Sequence, residues 1–261
     1  MKSDCDSLPI PLIGIEAEVL GWDYRDRLEV VEDLKQLGRI PKSFDKPQHK
    51  WHCSCHICAG VLQNAILPVQ FVSQKDATLP EDYGSEFISN RFPADEDIIL
   101  DVANTLSVIG EGQWAETEYL DKYGRPATAG MHIHCSIKVS GQEIEKGLYR
   151  DMVRTMYLYY PELIRLAAVA GRDRMLHYRW PKFNNLIHHN FIGVTGGGHP
   201  HLEWRFWESS YEDVSYTVGA MCYTAALTYG MRNPKIMMAL ESIGQRDRWD
   251  WDLVIVTGKH Q

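Results

Sequence analysis

The chain has 261 residues, 44% of them hydrophobic, enough for one large domain or two small ones around a substantial core. Its net charge is −8, from 27 basic and 35 acidic side chains. That balance argues against a dedicated surface for nucleic acid or anionic membrane, although it leaves room for a local basic patch.

No apolar run approaches the length of a bilayer span, and the opening MKSDCDSLPIPLIG lacks a signal-peptide layout. Six cysteines, at 5, 53, 55, 58, 135 and 222, have no secretory context that favours disulfides. The expectation is a reducing cytoplasm and no membrane partner. There is no internal repeat and no low-complexity segment.

Residues 12–20, LIGIEAEVL, alternate and predict a strand. Glu16 and Glu18 share one face; Ile15, Ala17 and Val19 share the other. Asp23 suits the cap of a helix over 24–37, with Leu28, Val31, Leu34 and Leu37 on its apolar side and Gly38 as its stop. Residues 39–50 have the prolines and charges of a loop.

WHCSCHICAG follows. Cys53, Cys55 and Cys58 form C-x-C-x-x-C, flanked by His49, His52 and His56. Thiolates and imidazoles at this spacing suit a tetrahedral zinc ion, with His52 a candidate fourth ligand. Reduced thiols beside an active site, or a redox pair, are the other readings. No second cysteine pair follows at zinc-finger spacing, which excludes a four-cysteine site within this region.

Apolar runs within 61–74 predict a strand. In DATLPEDYGSEFISNRF, the EFIS segment reads as another, with Glu86 and Ile88 on one face; an exposed strand glutamate would look the same. Residues 95–109 fit a helix, with Ile98, Val102, Leu106 and Ile109 at helical spacing and Gly110 at its end. The glutamate-rich stretch 111–118 reads as solvated. Residues 130–137, GMHIHCSI, alternate again: His132 and His134 on one face, Met131, Ile133 and Cys135 on the other.

Residues 142–170 predict helix, with an apolar stripe through Ile144, Leu148, Met152, Met156, Leu163 and Ala167, and Pro161 kinking it or starting a second helix. Segment 171–190 is basic and aromatic. Its Arg172, Arg174, Arg179 and Lys182 suit a phosphate, a carboxylate or a nucleic-acid backbone, or simply an exposed loop. In TGGGHPHLEWRFWESS, residues 195–210, the glycines make a tight turn or an anion-accepting loop. The strand after them carries Leu202, Trp204 and Phe206 on one face and Glu203, Arg205 and Trp207 on the other. Glu203 and Arg205 therefore lie ~7 Å apart along the strand. Buried there, they need each other, a metal or a charged ligand. A buried helix over 212–231, a short helix near 235–243 and a last strand over 252–257 complete the reading.

Three strands thus present a polar pair at i and i+2. If they share one sheet, carboxylates, imidazoles and an arginine meet on one surface, and such carboxylates repel unless cations lie between them.

Taken in order, GIEAE, DATLPEDYGSEFIS, AGMHIHCSI and HLEWRF resemble the carboxylate–amine ligases with the glutamine synthetase fold. The phage and bacterial amidoligases are the nearest likeness. GMHIHCS is similar to the glutamine synthetase motif G-M-H-x-H-x-S, and HLEWRF to its E-x-R strand; the helix and loop over 157–185 are also similar. The resemblance spans roughly residues 12 to 230 and implies an α+β fold: a curved, mainly antiparallel sheet, the active site on its concave face and helices on the other. It implies a single catalytic domain over 1–261, with the Cys/His knuckle inserted at 49–60. It implies ATP, magnesium, a carboxylate and an amine as partners, the last two on a small molecule, a peptide or a modified nucleotide.

Residue by residue, the resemblance makes Glu16 and Glu18 magnesium ligands. Glu86 joins the metal site nearer the substrate, and His132 and Glu203 hold the metal beside the nucleotide phosphates. His134 lies near the amine or carboxylate, Arg205 stabilises the transferring phosphate, and Arg179 is a second phosphate contact for which Arg172 and Arg174 compete. The long N-terminal domain of glutamine synthetase is not expected, so intersubunit sites of that enzyme's kind are not either; a homo-oligomer of another form stays open. Structural zinc in the knuckle lies outside the family pattern. The expected location is the cytoplasm, the host's if a phage encodes the chain. Two other functions fit parts of the sequence: a kinase of the same superfamily acting on a guanidino group, and a zinc-stabilised module gripping nucleic acid through the 172–182 loop.

Overall fold

The computed structural model describes residues 11–21, 24–40, 67–74, 79–80, 83–110, 119–121, 123–124, 127, 129–136, 138–139, 142–143, 147, 192–195 and 200–230. Cys53, Cys55, Cys58 and His52, the basic segment with Arg179, the glycines 196–198 and the elements expected beyond 231 lie outside the described residues.

The fold is α+β. Its strands are β1 (Leu12–Leu20), β2 (Phe71–Gln74), β3 (Gly84–Ser89), β4 (Phe92–Pro93), β5 (Gly130–Ser136), β6 (Lys138–Val139), β7 (Gln142–Glu143), β8 (Ile192–Thr195) and β9 (His201–Glu208). Its helices are α1 (Tyr24–Gln36), α2 (Glu96–Ile109) and α3 (Val214–Gly230). Among the described residues no helix is long and apolar enough to cross a membrane. The chain divides into two compact units, with boundaries ahead of β1 and within β5 (between His134 and Cys135), β9 (between Phe206 and Trp207) and α3 (between Tyr223 and Thr224).

The larger unit comprises 12–134 and 207–223. Its strands run in the order β2-β3-β1-β5. β3 pairs antiparallel with β1, placing Glu18 opposite Glu86 and Glu16 opposite Ile88. At its other end β1 changes partner to β4, with Leu12 opposite Pro93 and Ile13 opposite Phe92. The change would strand a backbone donor. Ile15 N–H lies at the gap and donates instead to the Ser89 hydroxyl at 2.8 Å, in a buried setting. Beside it, Asn90 is fully buried and donates its backbone N–H to Gln70 O while its side-chain oxygen accepts from Gln70 N–H.

The alternation of β1 sorts its side chains as its pattern predicts. Ile13, Ile15, Ala17 and Val19 are all buried, as are Phe87, Phe71, Met131 and Ile133 on neighbouring strands. Each large one stabilises the fold by about 2 kcal/mol, so this apolar layer dominates the unit. Helix α2 adds Ile99, Val102, Ala103, Leu106 and Ile109. Its stripe is turned slightly from the expected one, with Ile99 rather than Ile98 fully buried. The Asp95 side chain caps it by accepting from Asp97 and Ile98 N–H, and Gly110 ends it at φ 82°.

Helix α1 lies against α2. Only Val31 and Leu34 of its expected apolar side are buried; Leu28 and Leu37 are exposed. The reason is that α1 covers α2 along a narrow seam and ends at Gly38, φ 70°, where Arg39 and Ile40 N–H turn back onto Leu34 O. Arg39 then pairs with Asp101 of α2.

The smaller unit holds 135–206 and 224–230 among its described segments. Its strand order is β5-β9-β8, with β8 and β9 antiparallel and Gly193 opposite Glu203. β6 and β7 form a separate two-stranded antiparallel pair. This differs from the helix expected over 142–170 at its start, where Gln142–Glu143 is strand; Gly147 is helical, and the rest of that stretch lies outside the described residues.

Ser89→Ala removes the only acceptor described for a buried N–H at the partner change. It is expected to cost about 1–3 kcal/mol in urea unfolding, and a change below about 0.5 kcal/mol would show that the ladder closes without the hydroxyl.

Candidate functional site

The polar face of the larger unit brings the β1 glutamates, Glu86 and the β5 histidines together. Glu16 and Glu18 emerge on one face of β1 because strand residues two apart share a side. On adjacent β5, His132 and His134 do the same. The Glu16 carboxylate lies between the two imidazoles, its Oε2 at 3.2 Å from His132 Nδ1 and its Oε1 at 3.0 Å from His134 Nε2. His132 is itself held between carboxylates, with Nε2 at 3.6 Å from Glu18 Oε1.

Glu18 is buried and committed. Its Oε2 accepts the Gly130 N–H at 2.8 Å. Glu86, also buried, is its cross-strand neighbour on β3, so two carboxylates face each other across one rung. Such a pair is unfavourable when both are ionised unless positive charge is close.

The histidines supply that charge to Glu16. Burial by itself would raise its pKa, but the His134 charge and hydrogen bonds from both imidazoles outweigh burial and hold the carboxyl well below its ordinary 4.5. Ionised oxygens suit magnesium or manganese, and neutral imidazoles suit manganese or zinc. This donor set therefore fits a divalent cation, which would take the place of the imidazole protons.

The smaller unit carries the E-x-R pair. Glu203 is buried on β9, and Arg205 Nη2 lies 2.5 Å from Glu203 Oε1. The ion pair that the alternation permits is thus formed. On the β8 side of Glu203 stands Gly193, where an added Cβ would meet nothing within 4 Å. The sequence reading missed β8, although the alternation of Ile192 and Val194 in FIGVT was a usable signal. Cys135 is no nucleophile: burial pushes its thiol up to about 12, against a small opposing hydrogen bond from Thr228. Exposed Cys222 is also raised, by partial burial and by the Glu96 charge.

One residue near the polar face carries no motif. Tyr211 is fully buried, and its hydroxyl reaches both Glu18 O and Gly130 O at 2.9 Å. A lone tyrosine after a strand offers no sequence signal for such a role.

No protein-family model matches the chain, and no curated protein matches it significantly.

Two outcomes follow from the charges. A carboxyl with a depressed pKa stabilises the fold above its ordinary value and loses that contribution as pH falls through the depressed one. In metal-free buffer, the stability difference between wild type and Glu16→Gln should therefore shrink as pH drops from about 5 toward 2; a constant difference would mean that Glu16 is not held ionised. In the smaller unit, Arg205→Ala leaves a buried carboxylate without its guanidinium and should cost roughly 3 kcal/mol, much of it restored by adding Glu203→Gln. Equal melting temperatures for the single and double variants would rule out that coupling.

Proposed function

We propose that the chain is an ATP- and magnesium-dependent carboxylate–amine ligase of the glutamine synthetase-like kind, with Glu16 and His132 at the core of its metal centre and His134 beside them toward the substrate. The observation that carries this reading is the Glu16 carboxylate held between two imidazoles on a largely buried sheet face. Order and spacing of the four motifs support it, as does an antiparallel sheet in an α+β fold.

The reaction has two parts. A substrate carboxylate oxygen attacks the γ-phosphorus of ATP, the bond to the ADP oxygen breaks, and an acyl phosphate forms. The amine nitrogen then attacks the acyl carbon, inorganic phosphate leaves, and the nitrogen gives up a proton. Magnesium, when bound, neutralises charge that builds on the transferring phosphoryl group. Glu16, Glu18 and His132 are its ligands in this reading. Glu203, in the smaller unit, takes a metal-ligand role through its likeness to the E-x-R strand. Glu86 stands toward the substrate, His134 serves the amine or carboxylate, and Arg205, with Arg179, binds phosphate oxygens. Buried carboxylates that stay ionised are suited to this work, because a protonated one would neither hold a cation nor offset an arginine.

The test is ADP release with ATP, magnesium and hydroxylamine over a panel of amino acids and peptides, since hydroxylamine intercepts acyl phosphates as stable hydroxamates. Hydroxamate should form with one class of carboxylate and fall by about 100-fold or more in Glu16→Gln and in Glu203→Gln, both still folded. ADP release without hydroxamate would replace the ligase with a phosphotransferase. Failure to bind ATP at all would remove the reading entirely.

A further inference from the structure

We infer that Tyr211 is a positioning residue for the metal centre, its buried hydroxyl acting with the Glu18 carboxylate to brace β1 against β5 where His132 lies between Glu16 and Glu18. The inference rests on reading that cluster as a metal centre.

The two strands are joined twice through the same two residues. Gly130 N–H donates to Glu18 Oε2, and the Tyr211 hydroxyl reaches the carbonyls of both Glu18 and Gly130. A hydroxyl has one proton, so these carbonyls share it, and the sharing holds only while the strands keep their spacing. The ring cannot follow a strand that shifts. Tyr211 is fully buried, in a turn closed by Asp213 N–H onto Ser210 O and by Tyr216 N–H onto the Asp213 side chain.

The brace sits two residues from the chemistry on each strand. Glu16 precedes Glu18 by two, His132 follows Gly130 by two, and both pairs share the polar face. A small displacement of one strand therefore transfers directly to the 3.2 Å approach of His132 to Glu16. Metal ligation tolerates only about 0.2 Å of error in such distances. Packing alone would be met by phenylalanine, so the hydroxyl is the informative group.

The test is manganese binding to the full chain, followed by the electron paramagnetic resonance signal of free Mn2+, below the melting temperature of every variant. Wild type should bind, Glu16→Gln should lose binding, and Tyr211→Phe should weaken it by about 10–100-fold, as loss of a ligand-orienting contact does. A Tyr211→Phe protein that melts earlier yet binds manganese within about twofold of wild type would make the hydroxyl merely structural and overturn the inference alone. Wild type that binds no manganese would overturn it together with the metal-centre reading. If Tyr211→Phe does not fold, two other replacements of the same ring carry the comparison: 4-aminophenylalanine at 211, which still donates to the two carbonyls, should bind manganese at least about tenfold more tightly than 4-methylphenylalanine there, which cannot donate; equal loss in both would overturn the brace.

Discussion

Ionised carboxylates on the inside of a sheet must be neutralised where they stand, and the larger unit is built to meet that constraint. Removing one such group from water costs several kcal/mol after relaxation, comparable to burying two or three large apolar side chains. The opposite face of β1, with Ile13, Ile15, Ala17 and Val19 all buried, supplies favourable burial on that scale. The polar face removes much of the cost by surrounding Glu16 with two imidazoles and giving Glu18 a backbone N–H.

This arrangement depends on β1 being flanked on both sides. β3 brings Glu86 opposite Glu18, and adjacent β5 brings the histidines. Flanking also makes the partner change from β3 to β4 costly, since a buried donor would be left over; the Ser89 hydroxyl answers it. The two kinds of solution differ in reversibility. A serine hydroxyl bonded to backbone N–H is a fixed structural repair. Imidazoles beside a carboxylate can exchange protons for a cation, so the same contacts that satisfy the fold leave the site open to chemistry.

The smaller unit meets a similar constraint with a guanidinium. Glu203 and Arg205 neutralise each other from one face of β9. Arginine stays charged at any relevant pH, so this pair, unlike the histidine cluster, keeps its positive partner throughout titration. That difference suits the proposed division of work, in which imidazoles yield to a metal and the arginine remains to meet phosphate.

Period-two alternation in IGIEAEVL, GMHIHCSI and HLEWRF was enough to locate β1, β5 and β9 and to say which side chains share a face, because strand geometry dictates it locally. The span of α2 and its end at Gly110 were legible too, because helical spacing and a glycine stop are local signals, whereas the Asp95 cap was not singled out. Which strands neighbour one another was not legible, and neither was the register that puts Glu18 opposite Glu86. Register follows from long-range pairing, and a slip of one residue leaves the local pattern unchanged. The same holds for Leu28 and Leu37, apolar residues that α1 leaves exposed, and for the pairing of β6 with β7. Sequence alone determined the donor types available for a site. Only tertiary structure decided that Glu16 lies between two histidines, that Glu18 spends an oxygen on Gly130, and that Tyr211 spans both strands, because those contacts join residues as many as 193 positions apart.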